Sequence, residues 1–446
     1  MFLKKKKEDL MILYWYLRTK KLEKRLDTRE KLDIYQRRKI SQHINWVKQH
    51  SPYIRKHYQD KYLLSDFPIM DKSLFMEQFT EWNTKGIMEK EAEEVAQKAE
   101  EQRNFAPKVR GVTVGLSSGT SGSRGMFLVS DQEREQWTGV ILAKLLPKSL
   151  LHPEKIAFFL RANSNLYEST GQRKLQFKFF DLYELSRSEC NELQALHSYS
   201  PSILIAPPSV LRLIAQEMEQ GKIRIAPKKV ISIAEVLEDI DKDMLVRVFK
   251  QQIHQVYQCT EGFLASTCKY GNLHLNEEHV VIEKEYLKDR RFVPIITDFT
   301  RTTQPIIRYR LNDILMEKGK ICPCGSPATW IERIEGRCDD VFVFEKLDGE
   351  KLTIYPDSFR KLFYSEPTVA EYEVILTKNG LSIHLLPDIS EEVKMHLHTQ
   401  LRELFVRSNC PVPSVTWGEV KKKRFMTKQK RILNETSKCV YQATTG

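Results

Sequence analysis

The chain has 446 residues, of which 41% are hydrophobic and 29% charged, with a formal net charge of +12. That length exceeds what one hydrophobic core can organise, so two or three domains are expected. The basic excess invites a nucleic-acid partner. However, charges of both signs are interspersed, and no arginine-glycine tract or RNA-recognition aromatic signature is present, which sets nucleic acid aside.

The opening stretch, MFLKKKKEDLMILYWYLRTKKL, has a basic patch and a short apolar run, but Glu8 and Asp9 interrupt it and no small-residue cleavage site follows. The run ends at Arg18, short of a bilayer span, so the expectation is a cytoplasmic chain without membrane association. Leu10, Leu13 and Leu17 share one side of a helix that either docks on the body of the protein or lies on an anionic surface, docking being the simpler reading. Further on, REKLDIYQRRKISQHINWVKQHSPYIRKHY and KEAEEVAQKAEEQRNF read as charged helices that show no chemistry. Residues 1–110 form the helical N-terminal part of a large domain on this reading.

From 111 to 338, short apolar strands alternate with helices: KIAFFL, SILIAP, KKVISIA, HQVYQC and HVVIEKEY. This alternation predicts an α/β fold with an open sheet. Past Arg337 the pattern becomes two hairpins, turning at Asp348-Gly349 and Asn379-Gly380, and a helix after Ser390 with Val393, Leu397, Leu401 and Leu404 on one face. These elements make a small α+β domain over 339–446, joined near Asp339.

The loop VGLSSGTSGSRGMFLVS cannot pack a core. Its run Ser117, Ser118, Gly119, Thr120, Ser121 and Gly122 can turn backbone N–H groups and hydroxyls toward one anion. It lacks the Gly-Lys-Ser/Thr of a Walker loop, and alone such a run is more often a flexible linker than a phosphate site. Its companions are SIAE (232–235), VYQCTEG (256–262), TDFTRTTQPIIRYRLND (297–313) and IEGRCDD (334–340). By themselves Tyr257 reads as core, Glu261 as a solvated charge, Asp313 as a turn residue and RYR (308–310) as strand-edge charge.

In this order and spacing the segments resemble the adenylate-forming (AMP-binding) superfamily. The branch they resemble is the phenylacetate-CoA ligase-like one, related to the coenzyme deazaflavin-adenylylating synthetases, and the match runs from about Val114 to Lys430. The resemblance implies a large adenylation domain with mixed sheets, a small mobile C-terminal domain, and a ligase that activates a carboxylic acid with ATP and passes the acyl group to a thiol such as CoA or a carrier. It gives the Ser117–Gly122 loop the β- and γ-phosphates, and places Ala234 and Glu235 beside adenine with Tyr257 stacked on it. Thr260 goes to the α-phosphate, Glu261 to Mg²⁺, Asp313 to the ribose hydroxyls and Arg337 beside them. Asp339 becomes the hinge, and Lys428 in TKQKRIL the catalytic lysine, with Lys421–Lys423 and Lys430 as competitors. An adenylyltransferase that leaves AMP on its substrate, or a degenerate ATP-binding protein, remain the alternatives.

Two departures stand out. The loop has Ser-Arg-Gly at 123–125 where relatives favour lysine and proline, with Arg124 able to supply the charge, and Asn312 stands where glycine is common. Cys268, His274, Cys322 and Cys324 offer three thiolates and an imidazole suited to tetrahedral Zn²⁺. In similar proteins of the branch a structural zinc ties these same segments. By the same resemblance, FFLRANSNLYEST together with Ser232–Ala234 is the expected lining of the acid pocket, in which Phe158, Phe159 and Tyr167 would tolerate an aromatic acid.

Overall fold

The computed structural model describes residues 2–102, 104, 106–117, 124–160, 174–187, 189–366, 368–387, 389–420 and 430–436. The N-terminal part is helical, with its longer helices at Phe2–Arg25, Arg29–His50 and Glu89–Glu101. The second begins at Thr28, whose hydroxyl accepts the Lys31 N–H at 3.3 Å and caps the first turn. The first lies along helix Asp131–Leu145, with Ile12 and Tyr16 packed on Leu142 and Ala143. Gly139 permits that approach, since a Cβ there would stand 2.6 Å from the Ile12 carbonyl oxygen. The helix therefore docks on the body of the protein.

Among the described residues, one sheet of 12 strands organises the large part. Its first half is parallel, in the order Leu175–Asp181, Glu154–Leu160, Ile203–Ala206, Lys229–Ser232 and Ile253–Gln258. These strands read as near-continuous apolar runs because helices such as Pro208–Glu219 cover them, burying Val210, Leu211 and Ile214 against Leu204 and Val230. At Ile253–Gln258 the direction changes. Phe263–Thr267 folds back antiparallel through the Thr260–Gly262 turn, and the remaining strands continue antiparallel to Val280–Tyr286. The α/β fold with mixed sheets is thus what the structure has: the alternation of strands and helices corresponds to the parallel half of this sheet, and the antiparallel half completes it.

Two details bear on the site. Phe159 is fully buried and stacks on Phe180 at 4.7 Å, so it belongs to the core and not to an acid pocket; residues 161–173, including Tyr167, lie outside the described residues. The hairpin Val112–Leu116/Met126–Ser130 holds the hydroxyl-rich loop at its tip, closed by the Ser117 N–H donating to the Gly125 carbonyl at 2.7 Å. Ser118, Gly119, Thr120, Ser121 and Gly122 lie outside the described residues.

Beyond the turn Cys338–Asp340 come the hairpin Phe342–Glu345/Lys351–Ile354 and a sheet in the order Val415–Glu419, Gly380–Leu386, Glu371–Thr377, Ile432–Asn434. Helix Glu391–Arg407, capped by Ser390, buries Leu397, Leu401 and Phe405 on that sheet in a core of its own. Both hairpins turn where Asp348-Gly349 and Asn379-Gly380 predict. The outer strands, parallel to their neighbours, went unpredicted because VTWGE and ILN are too short to show a period.

Candidate functional site

The C-terminal ends of strands Lys229–Ser232 and Ile253–Gln258 open onto a cleft of about 710 Å³. Ligands of open α/β sheets sit at such ends. Ala234, Glu235, Tyr257, Asp313 and Arg337 line one wall, while Lys430 and Arg431 line the other. The Tyr257 hydroxyl donates to Asp313 Oδ2 at 2.6 Å. Burial, reinforced by the Asp313 charge, raises that hydroxyl well above its ordinary pKa, so it remains a donor. Asp313 and Arg337 are register partners on adjacent strands, with Nε 3.8 Å from Oδ1. Ala234 is held at φ +66°, a left-handed conformation that costs a residue with a Cβ about 1 kcal/mol or more and that clusters at ligand-facing turns.

The same chain continues into a second, smaller hollow. The Thr260–Gly262 turn meets Ser117, Gly125, Lys72, Arg301 and Tyr309 there. Thr260 Oγ1 donates to Glu261 Oε2 at 2.8 Å. Arg301 donates to the Thr260 carbonyl at 3.2 Å and the Leu128 carbonyl at 3.0 Å, and so ties this turn to the hairpin that carries the loop. Gly125 N–H donates to Ser117 Oγ at 2.8 Å, fixing the base of the loop.

Sequence reasoning missed Lys72. It sits on the short helix Lys72–Glu77, inside the stretch that reads as charged helix, and a Cβ on Gly125 would touch its Cε at 3.0 Å. Burial holds its ammonium below the ordinary value, with the Glu261 charge acting in the opposite sense. Arg124 does not stand free to replace the loop lysine: it is ion-paired with Glu100 and donates to the Ser117 carbonyl at 3.0 Å. The two arginines of RYR are strand-edge charges as read, Arg308 pairing with Glu283 at 3.0 Å and Arg310 with Glu285 at 2.6 Å.

At the junction, the Asn312 amide donates to the Asp339 carboxylate, and the Cys338 N–H to the Asn312 carbonyl at 2.9 Å. The residue that replaces a common glycine thus braces the turn. Lys430 Nζ lies 2.8 Å from Asp340 Oδ1. Lys428 and Lys421–Lys423 lie outside the described residues, in a segment bracketed by Val420 and Lys430, which both line the cleft. One residue on, Arg431 reaches Glu238 at 2.9 Å, Asp241 at 2.6 Å and Glu371 at 2.6 Å.

Cys268, His274, Cys322 and Cys324 place their ligand atoms within 4.8 Å of one another. Cys268 and Cys322 sulfurs are 3.9 Å apart, and Cys324 Sγ is 3.5 Å from His274 Nε2. A metal about 2.3 Å from each sulfur at the centre of a tetrahedron sets such atoms about 3.8 Å apart. His274 Nδ1 faces the Ala328 carbonyl at 3.1 Å, leaving Nε2 toward the thiols. Asn272 Nδ2 and the Ser326 N–H donate to the Cys322 and Cys324 sulfurs at 3.1 and 3.4 Å, as donors to thiolates do. Cys259, Cys338 and Cys410 are free thiols, while the side chains of Cys190 and Cys439 lie outside the described residues.

No family model matches the chain. In sequence it is 26% identical over 125 residues to protein CapK of Staphylococcus aureus, a match covering 27% of this chain and 28% of that protein. In structure it is similar to 2-hydroxyisobutyryl-CoA ligase complexed with 2-HIB-AMP in the postadenylation state, at TM-score 0.65 and 17% identity, covering 91% of this chain and 90% of that one. Against the same ligase in its thioesterification state the TM-score is 0.53, at 16% identity over 90% and 88% of the two chains. The anthranilate CoA ligase AuaEII in complex with anthranoyl-AMP gives 0.50, at 13% identity over 71% and 65%.

Proposed function

We propose, for a chain that has the fold of the adenylate-forming ligases, that it activates a carboxylic acid with ATP and transfers the acyl group to a thiol. One observation carries this reading: two adjoining hollows, one lined by Tyr257, Asp313 and Arg337 and the other by Ser117, Lys72, Thr260 and Glu261, are joined by a single turn. Their chemistry suits a nucleoside in the first and its phosphates in the second. Asp313, already accepting from Tyr257, has lone pairs left for ribose hydroxyls. Glu261 offers a carboxylate to Mg²⁺ beside the phosphates, where the ion would neutralise charge on their oxygens. Lys72, on the same hollow as Ser117 and Glu261, takes the part of the absent loop lysine.

In the first half-reaction a carboxylate oxygen attacks the α-phosphorus as the bond to the β-phosphate oxygen breaks and pyrophosphate leaves. In the second, a thiolate sulfur attacks the acyl carbon and AMP leaves. The protein positions the partners and neutralises charge, with Thr260 at the α-phosphate and Lys428 between it and the attacking carboxylate. Residues 339–446 act as the small mobile domain, turning about Asp339 between the steps. The higher score against a postadenylation state than against a thioesterification state supports an arrangement belonging to the first half of the cycle.

ATP–pyrophosphate exchange across aryl and aliphatic acids tests the reading: at least one acid should drive magnesium-dependent exchange, with free AMP appearing once a thiol is added. Folded protein that exchanges with no acid overturns it, and AMP retained on the substrate would make the chain an adenylyltransferase.

The thiolate and imidazole cluster holds a structural zinc, which pins the strands following the Glu261 turn and has all four positions filled by protein. Metal analysis should find about one zinc per chain. A site loaded a hundredfold above its dissociation constant adds about 2.7 kcal/mol, so in a large domain of this size Cys322→Ser should lower Tm by about 3–5 °C and release the metal. Zinc-free wild-type protein of unaltered Tm would refute this.

A further inference from the structure

The N-terminal helix Phe2–Arg25 presents two faces of opposite character. Its inward face packs Ile12 and Tyr16 on the body, and its acids turn the same way, with Glu8 pairing with Arg134 at 3.0 Å and Glu23 with Lys144 at 3.5 Å. The outward face carries Leu10, Leu13, Tyr14 and Leu17, which are 58, 39, 48 and 57% exposed. The spacing i, i+3, i+4, i+7 makes them one continuous stripe. Lys6 lies one turn before the stripe and Lys21 and Lys24 follow it on the same side, all exposed. Over the whole helix nine basic residues stand against three acidic ones, so the outward face is both apolar and cationic.

A second observation points the same way. Arg18 donates to the Tyr14 hydroxyl at 3.0 Å, at the edge of the stripe, while Arg38 and Lys39 both lie 6.0 Å from the Tyr35 ring on the next helix. Burial, then the Arg18 and Arg38 charges, hold the Lys39 ammonium below its ordinary value. Three cations crowded together gain from an anion beside them.

We propose that this face seats the protein on an anionic lipid surface. Leucine and tyrosine side chains at such spacing enter the boundary between headgroup and acyl chain, while lysines at both ends reach the phosphates. No helix among the described residues is long and apolar enough to cross a membrane, so the contact is peripheral. A second copy of the chain fits this face poorly, because stripe against stripe sets lysine against lysine.

Sedimentation with vesicles tests this. Wild-type protein should partition at least about tenfold more strongly onto phosphatidylcholine vesicles containing one quarter phosphatidylglycerol than onto phosphatidylcholine alone, and salt should release it. Leu10→Glu with Leu17→Glu should reduce binding to anionic vesicles about tenfold or more with Tm unchanged, since both side chains are exposed. If that pair fails to fold, Lys6→Glu, Lys21→Glu and Lys24→Glu together should give the same loss. Absence of binding to anionic vesicles, or binding indifferent to both sets of changes, overturns the proposal. So does a wild-type dimer in light scattering that the leucine variant dissolves without any vesicle binding.

Discussion

Lys428→Ala is expected to lower kcat for adenylate formation by about a hundredfold to a thousandfold, the loss measured when one electrostatic stabiliser of a transition state is removed. KM for ATP should change little, because on the proposed mechanism the ammonium acts where charge develops and not on the resting nucleotide. Lys72→Ala should do the reverse. It sits with Ser117 and Glu261, so its loss should raise KM for ATP about tenfold and weaken pyrophosphate in the back reaction, with a smaller effect on kcat. Lys430→Ala separates the competing lysines: its ammonium is already engaged by Asp340, so it should fall short of Lys428→Ala by at least about tenfold in kcat. Steady-state and exchange kinetics on the three variants give the answer, and full exchange in Lys428→Ala would remove that residue from the mechanism.

The contrast between Lys428 and Lys72 shows where sequence is informative. Tyr257, Thr260, Glu261 and Asp313 stand out only through the order and spacing of their segments, which carry the resemblance; singly Tyr257 reads as core, Glu261 as a solvated charge and Asp313 as a turn residue, and the fold brings the four to two adjoining hollows. Cys268, His274, Cys322 and Cys324 suit a metal by ligand type, but their halves lie far apart in sequence and it is the resemblance that pairs them; the fold brings their ligand atoms within 4.8 Å of one another. Lys72 offers no such signal. It is one cation among many in a charged helical stretch, and it matters only because the fold lays its helix against a hairpin some fifty residues on. Arg124 misleads for the same reason in reverse. It has the right charge in the right loop, yet its partner is Glu100 on a neighbouring helix. The sheet was half legible, since apolar strands announce themselves whereas the change from parallel to antiparallel pairing at Ile253–Gln258 is a tertiary fact.

Arg431 is the other residue whose meaning depends on the fold, and its network should decide how the small sheet rests on the large one. Its guanidinium binds Glu238 and Asp241, on or beside helix Asp239–Phe249, together with Glu371 of the small sheet. Glu238 also accepts from Arg360 at 3.1 Å and from the Tyr372 hydroxyl at 2.6 Å. Burial would raise the Glu238 carboxyl, but Arg431 and Arg360 outweigh it and hold the group down at about 2. Because the folded value lies below the unfolded one of about 4.5, the contribution is complete above pH 4.5 and disappears as pH falls from there toward about 2. Removing one partner of a buried ionic network leaves the other charges uncompensated, at about 3–5 kcal/mol. Glu238→Gln should therefore separate the two parts at neutral pH rather than unfold either, since each keeps its own core. A donor–acceptor pair of fluorophores across the cleft should report a longer distance in the variant than in the wild type at pH 7. Wild-type protein should reach that distance only as acid titrates Glu238, and adenylation should slow more than thioester formation. Equal distances in both proteins across that pH range would show that the network decorates the cleft without holding it closed.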